Sequence, residues 1–370
     1  MIRGTPIGKL LVLVTLGALI ASAWPGASSS SRSRAASRPR QDIVWSRRIY
    51  QARGHSYYQI WRMHTDGSSA HQITRGPRDH CSPAVSWDGR AIAYLSGEAG
   101  HELWIARADG TRARKLPASD VSAAYRLVWA PDGHCIRATD LWDDETIEVE
   151  VASGRTQRIR ANVSRNGRWE AIVAGSTRGG RVLLLDRTSK ARRTVLEGWV
   201  VGVSWSPQAD SLAAVVGEGR PKPEEERMVL HLLEAASGND LRVEWLAGRR
   251  ETLNTGTPLW SPDGRFIAIE GNAGQARGDL WVYDLNRREW LHPGDGTQPS
   301  WSATGDLLLY RTNEDIGTYF GMDLWLSHII VFDAMTRTRT QVTHGGSANR
   351  DPSWVPAVSV RPSKGRPADG

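Results

Sequence analysis

Cysteine is nearly absent from this 370-residue chain: Cys81 and Cys135 are the whole supply, too few for a disulfide-stapled framework. No Cys-x-x-Cys pair and no His-Glu-x-x-His occur, which removes the common zinc sites built on short spacings. A phosphate-binding glycine loop and a dinucleotide fingerprint are missing as well, so the familiar nucleotide-binding routes are closed. The nucleophile elbow Gly-x-Ser-x-Gly is not found; Gly202-Val203-Ser204-Trp205-Ser206 fails at its final position, and the expected single domain leaves no second one to carry it. Long apolar runs are lacking too. The best, Leu10 to Ile20, is short of the roughly 20 residues that a membrane span needs. Beyond it, the three-and-four apolar spacing of a helix does not appear.

What the chain does have is repetition. A phrase built on Trp-Ser-Pro-Asp-Gly returns about every 45 residues, cleanly at Trp260-Ser261-Pro262-Asp263-Gly264-Arg265 and Trp129-Ala130-Pro131-Asp132-Gly133-His134. Worn copies include Trp301-Ser302-Ala303-Thr304-Gly305-Asp306 and Val85-Ser86-Trp87-Asp88-Gly89-Arg90. Aligned on the tryptophan slot, seven copies stand at Val85, Trp129, Val163, Trp205, Trp260, Trp301 and Trp354. Proline pre-sets the first corner of a type I turn, aspartate supports the second, and glycine takes the left-handed conformation, so the phrase joins two antiparallel strands. Runs such as Phe266-Ile267-Ala268-Ile269 come directly after it. A third strand is marked by Gln59-Ile60-Trp61, Glu102-Leu103-Trp104, Asp279-Leu280-Trp281 and Asp323-Leu324-Trp325, and a fourth by His71-Gln72-Ile73-Thr74 and Gln341-Val342-Thr343.

Four short strands per repeat at this period predict an all-β fold, a seven-bladed β-propeller of four-stranded antiparallel blades over residues 42–356. The 17 tryptophans then fill the wedges between sheets. The first blade begins at its second strand, Ile43-Val44-Trp45, and the segment Asp351-Pro352-Ser353-Trp354-Val355-Pro356 can supply its missing inner strand. Closure by both ends would leave few exposed sheet edges.

The phrase, the acid-Leu-Trp strand and the Asp-Gly turns together resemble the TolB-like branch of the WD-type propeller repeats. The resemblance covers about residues 42–356 and is specific for fold rather than for function. Proteins of this repeat type include docking platforms of the cell envelope, propeller domains of prolyl oligopeptidases and some sugar lyases. TolB itself resembles a six-bladed ring with an amino-terminal α/β domain, from which this sequence departs in repeat count and in having no room for that domain.

The remaining segments address location. Arg3 and Lys9 lead into the apolar run, and Ala21-Ser22-Ala23 is a small-residue cleavage pattern, so residues 1–23 read as a signal peptide and the protein as periplasmic or secreted. An uncleaved anchor is the competing reading. Residues 24–41, rich in Ser, Arg and Pro, and 357–370 read as disordered linker and tail. The leader, linker and tail carry a net +8 of the formal +7, leaving −1 for the repeats. The basic composition therefore does not point to nucleic acid. Cys81 and Cys135 fall on opposite faces of neighbouring repeats, which argues against a disulfide, and the Asn162-Val163-Ser164 sequon reads as a degenerate phrase. Asp143-Asp144-Glu145 lacks the spacing of a calcium loop, and Pro221-Lys222-Pro223-Glu224-Glu225-Glu226 reads as an exposed insertion.

Topology singles out one candidate site. Loops into the inner strands converge on one mouth of the central channel. Three residues before each slot stand Ser82, Arg126, Arg160, Gly202, Thr257, Gln298 and Asp351, with His80, Tyr125, Arg158, Trp199, Asn254 and Arg350 just outside. Arg126 and Arg160 are fork-shaped donors for a carboxylate, a sugar or a peptide end. The expectation is a monomeric, non-catalytic scaffold without cofactor, taking an envelope protein or peptide, or a carboxylate-bearing polymer, at this mouth. The alternative is a propeller-type lyase or hydrolase acting on acidic sugars, with Arg126 or a metal on His80, His292 and His344 stabilising negative charge and His80 carrying the proton.

Overall fold

The computed structural model describes residues 41–51, 55–97, 102–118, 121, 124–130, 132–140, 145–160, 162–175, 179–218, 227–244, 256–271, 278–319 and 322–356. The signal peptide, nearly all of the linker, the tail, Asn254, the acids 143–144 and the insertion 221–226 lie outside them, as do the side chains of Tyr125, Glu145 and Arg160. Every regular element among the described residues is a strand.

These strands form six sheets. The first runs Asn349–Trp354, Asp42–Tyr50, Ser56–His64, His71–Gln72, and the second His80–Val85, Ala91–Ser96, Glu102–Arg107, Arg114–Lys115. The third joins the four strands from Ala124–Trp129 to Thr156–Arg160. The fourth has six strands from Trp169–Ala174 to Asp240–Glu244. The fifth and sixth are four-stranded, beginning at Leu259–Trp260 and Thr297–Trp301. All ladders are antiparallel, and the carboxyl-terminal strand closes the ring, with Ile43 opposite Trp354 and Val44 opposite Ser353.

The expectation of seven four-stranded blades is therefore corrected to six sheets, five of four strands and one of six. Two local features are responsible. Arg192–Trp205 is one continuous strand: its first half pairs back to Gly180–Asp186, and its second half pairs forward to Ser211–Glu218. In the inner position of the fourth repeat, moreover, only an isolated bridge forms, Val163 to Glu170. That repeat never completes a separate four-stranded sheet.

The repeated phrase performs three jobs. Its serine is buried and its hydroxyl receives the backbone N–H that opens the next strand, from Ala91 to Ser86, Trp169 to Ser164, Phe266 to Ser261 and Leu307 to Ser302. Its glycine closes the turn onto the same serine's carbonyl, as Gly264 does to Ser261 at 2.8 Å. Its tryptophan latches neighbouring repeats. Trp129, Trp205, Trp260, Trp301 and Trp354 each donate Nε1–H to the carbonyl one residue before the preceding slot: Ala84, Asn162, Ser204, Leu259 and Ser300, at 2.8–3.2 Å. A broad ring that also ends in a donor suits a seam where apolar faces meet a line of carbonyls. Valine at positions 85 and 163 cannot do this.

Apolar clusters fill the seams. Ile43, Trp45, Met63, Leu309, Ile329 and Trp354 join the first and last sheets, and Phe266, Val282, Trp301, Leu308 and Tyr310 the fifth and sixth. At about 1.5–3 kcal/mol for each fully buried large side chain, these clusters are the main source of cohesion.

Candidate functional site

Three of the inner strands begin with a bulge of the same kind. Register slips at Ser82-Pro83, Gln298-Pro299 and Asp351-Pro352, where two residues face a single residue or gap on the partner strand. Proline has no N–H to give the ladder, and its ring drives the preceding residue out of the right-handed region. Here that residue is left-handed, with φ of 51°, 59° and 53° at Ser82, Gln298 and Asp351. Such a backbone costs on the order of 1–3 kcal/mol per residue and persists only where its surroundings hold it.

The surroundings are a relay of hydrogen bonds. Ser82 N–H donates to Asp351 Oδ2 at 3.1 Å, Asp351 N–H to Gln298 Oε1 at 2.8 Å, and Gln298 N–H to Glu270 Oε2 at 3.0 Å. Each turned backbone thus points its donor at the next side chain around the channel. Gln298 Nε2 also donates to Asp351 Oδ1 at 2.9 Å, and Ser46 Oγ to Oδ2 at 3.2 Å. The arc crosses the second, first, sixth and fifth sheets. Burial pushes the Glu270 carboxyl up to about 6, against the opposing influences of the Gln298 N–H and the Arg311 charge.

Of the expected mouth residues, Ser82, Gln298 and Asp351 are thus brought together. Gly202 and Thr257 also meet: a Cβ on Gly202 would lie 2.8 Å from the Thr257 Cα, so the segment leading into Leu259–Trp260 passes too close for any residue larger than glycine. Thr257 and Arg126 are exposed, and Arg126 follows a bulge at the start of its strand. Other candidates belong elsewhere. Trp199 packs with Met228, Trp260 and Ile267 in the core between the fourth and fifth sheets. Arg350 lies over Tyr58, its guanidinium carbon 3.7 Å from the ring centre, with Nε 3.2 Å from Asp351 Oδ2. His80 turns into a cleft between the first two sheets, its ring 5.2 Å from that of Tyr94.

The three histidines lie apart in the fold. His80 opens the second sheet, His292 lies on the outer strand of the fifth, and His344 follows the last strand of the sixth, 3.5 Å from Gln341 Nε2. Among the described residues, the one group of potential metal ligands is Asp279, His292 and Asp295, whose ligand atoms lie within 4.8 Å of one another. The His292 ring stacks on Trp281 at 4.5 Å. Both cysteines are free thiols; burial pushes Cys81 up to about 11, with Asp351 adding to the effect.

Glu270 and Ser46 escape the spacing rule that found the others. The signal for Glu270 is a lone acid ending the apolar run Phe266-Ile267-Ala268-Ile269. Ser46 offers none, because its role depends on the carboxyl-terminal strand lying beside it.

No protein-family model and no curated protein matches the chain. Solved structures do. TolB from Acinetobacter baumannii is similar at 14% identity over 86% of this chain and 67% of its own, with a TM-score of 0.48. An oligogalacturonate lyase from Vibrio parahaemolyticus is similar at 9% identity over 82% of this chain and 86% of its own, TM-score 0.45. A prolyl endopeptidase structure is similar at 13% identity over 84% of this chain and 50% of its own, TM-score 0.48.

Proposed function

We propose that this chain is an exported, non-catalytic binding module whose channel mouth receives a polar segment of an envelope partner. The supporting observation is the arc from Ser82 through Asp351 and Gln298 to Glu270, in which each of three strained backbones is held by the side chain of the next residue in the arc. Strain of this kind concentrates at ligand clamps, and a clamp fixed before the partner arrives spares the ordering cost of binding. The arc is rich in acceptors, so it suits the donors of a peptide: an amino terminus, a basic side chain or backbone N–H groups. Arg126, on the third sheet, supplies the opposite preference for a carboxylate. The envelope location rests on the basic leader, the apolar run and Ala21-Ser22-Ala23.

The metal form of the lyase or hydrolase alternative calls for three converging histidines, whereas His80 and His292 stand on different sheets and His344 follows the last strand of a third.

A photoreactive residue at exposed Thr257 tests the binding reading in the native envelope. The expected result is one discrete adduct that disappears on Arg126→Ala while the melting temperature holds. The same adduct from a crosslinker at Asp132, in a strand-joining turn at the other end of the inner strands, would overturn the mouth as the interface.

A further inference from the structure

We propose that the cleft between the first and second sheets is a second binding site, separate from the channel mouth, for a carboxylate carried on an apolar or planar body. The cleft has a volume of about 700 Å³ and is lined by Arg75, Arg78, His80, Tyr94, Ser96 and Trp104 among others, none of which belongs to the arc. That volume is in the range of small-molecule sites.

Two orphaned polar groups form its inner wall. Ser96 is 1% exposed and its hydroxyl has no hydrogen-bond partner; His80 Nδ1 is likewise buried and unpartnered. The two residues are register partners on adjacent strands, so both groups face the same space. Buried polar atoms in folded proteins almost always find partners, and two adjacent ones without any mark a place where a ligand supplies them. An acceptor oxygen pair satisfies both at once, with Ser96 O–H and a neutral His80 Nδ1–H as donors. Desolvation lowers the His80 pKa, outweighing Asp79, with Arg78 acting in the same direction, so the ring donates as a neutral imidazole at pH 7.

Charge at the rim has the sign a carboxylate needs. Arg78 is 62% exposed and lies 3.8 Å from Glu102, an acid already held by Lys115 at 2.8 Å and by the Trp104 indole N–H at 3.0 Å. Asp109, the acid on the lining, is tied to the N–H and hydroxyl of Thr111. Arg75 is exposed beside them. Tyr94 and Trp104, register partners on the second sheet, give the flat apolar wall that a ligand body would cover.

The repeat pattern is also irregular at this seam. At the slot where other seams carry a latching indole, the second sheet has Val85, and Trp87 instead donates forward to the Trp129 carbonyl at 2.9 Å.

Calorimetry on the full chain tests the site with N-acetylphenylalanine and with the peptide Ala-Ala-Ala-Phe, each as free acid and as amide. Saturable binding of an acid with Kd of about 1 mM or tighter is expected, weakened about tenfold or more in the amides and in Ser96→Ala and Arg78→Gln, and unchanged in Arg126→Ala. Ser96→Ala removes an orphaned hydroxyl, so its melting temperature is expected to hold or rise. A peptide acid binding about tenfold tighter than N-acetylphenylalanine assigns the site to chain ends, and the reverse order to free small acids. Equal binding of acids and amides, no saturation by about 10 mM, or an unaltered Ser96→Ala overturns the proposal. Loss of binding in Arg126→Ala alone would place the acid at the channel mouth and overturn it as well.

Discussion

Glu270 ends an apolar strand and accepts the N–H of a left-handed glutamine, and its proton has consequences for stability. Burial raises its pKa from 4.5 to about 6, so between those values the folded chain holds a proton that the unfolded chain has released. The associated stabilisation is complete below about pH 4.5 and is lost as pH rises through 6, a change of at most about 2 kcal/mol. Glu270→Gln keeps an acceptor oxygen and removes the titration. Urea unfolding at pH 5 and pH 8 is expected to show the variant gaining about 1–2 kcal/mol on the parent between the two pH values. Parallel stabilities at both would mean that Glu270 titrates normally.

The turn glycines set the behaviour of whole elements, and that of an Asp-Gly turn after a third strand does not act like that of the repeated phrase. Gly110 and Gly133 both have positive φ, at 83° and 73°. A Cβ at Gly110 would lie 2.3 Å from the Ile73 carbonyl of the neighbouring sheet, whereas at Gly133 nothing lies within 4 Å. Gly133→Ala should therefore cost about 1 kcal/mol from backbone strain alone, and Gly110→Ala about 2–4 kcal/mol because a seam must also shift. Chemical denaturation of the two variants measures the difference, and equal losses would deny that this turn supports the seam.

The strand pattern of these elements was legible because each strand carries its own turn residues: Pro262, Asp263 and Gly264 mark the corner from which the next strand departs. The number of sheets was not, since it depends on whether hydrogen bonding continues through Gly198 into Trp199, and nothing in Arg192–Trp205 marks a break or its absence. The mouth was half legible. Counting back three residues from the slot found Ser82, Gln298 and Asp351, and each is followed by the proline at its bulge. The same count could not foresee that Trp199 would be absorbed by packing or that His80 would turn outward, since both depend on neighbouring sheets.

The whole molecule is held shut by a contact between segments about 300 residues apart in sequence: Trp45 Nε1 donates to Asn349 Oδ1 at 2.8 Å, across a separation of 304. Asn349 is 1% exposed and donates in turn to the Ser327 and Ser347 carbonyls. Asn349→Ala leaves a buried indole N–H and these carbonyls without their partner, a loss of about 2–4 kcal/mol. Hydrogen exchange is expected to accelerate together in Asp42–Tyr50 and Asn349–Trp354, since neither strand has another route to closure. Acceleration in one alone would contradict a shared closing sheet.

The continuous strand Arg192–Trp205 has a mechanical effect on this ring. Elsewhere, adjacent sectors touch through side chains and single indole bonds; along that strand two sectors share one unbroken spine. Thermal breathing cannot separate them without tearing a ladder, so the give of the toroid is displaced to the joints without an indole latch, those at Val85 and Val163. Whatever lodges in the cleft would act as a wedge in a partly stiffened wheel.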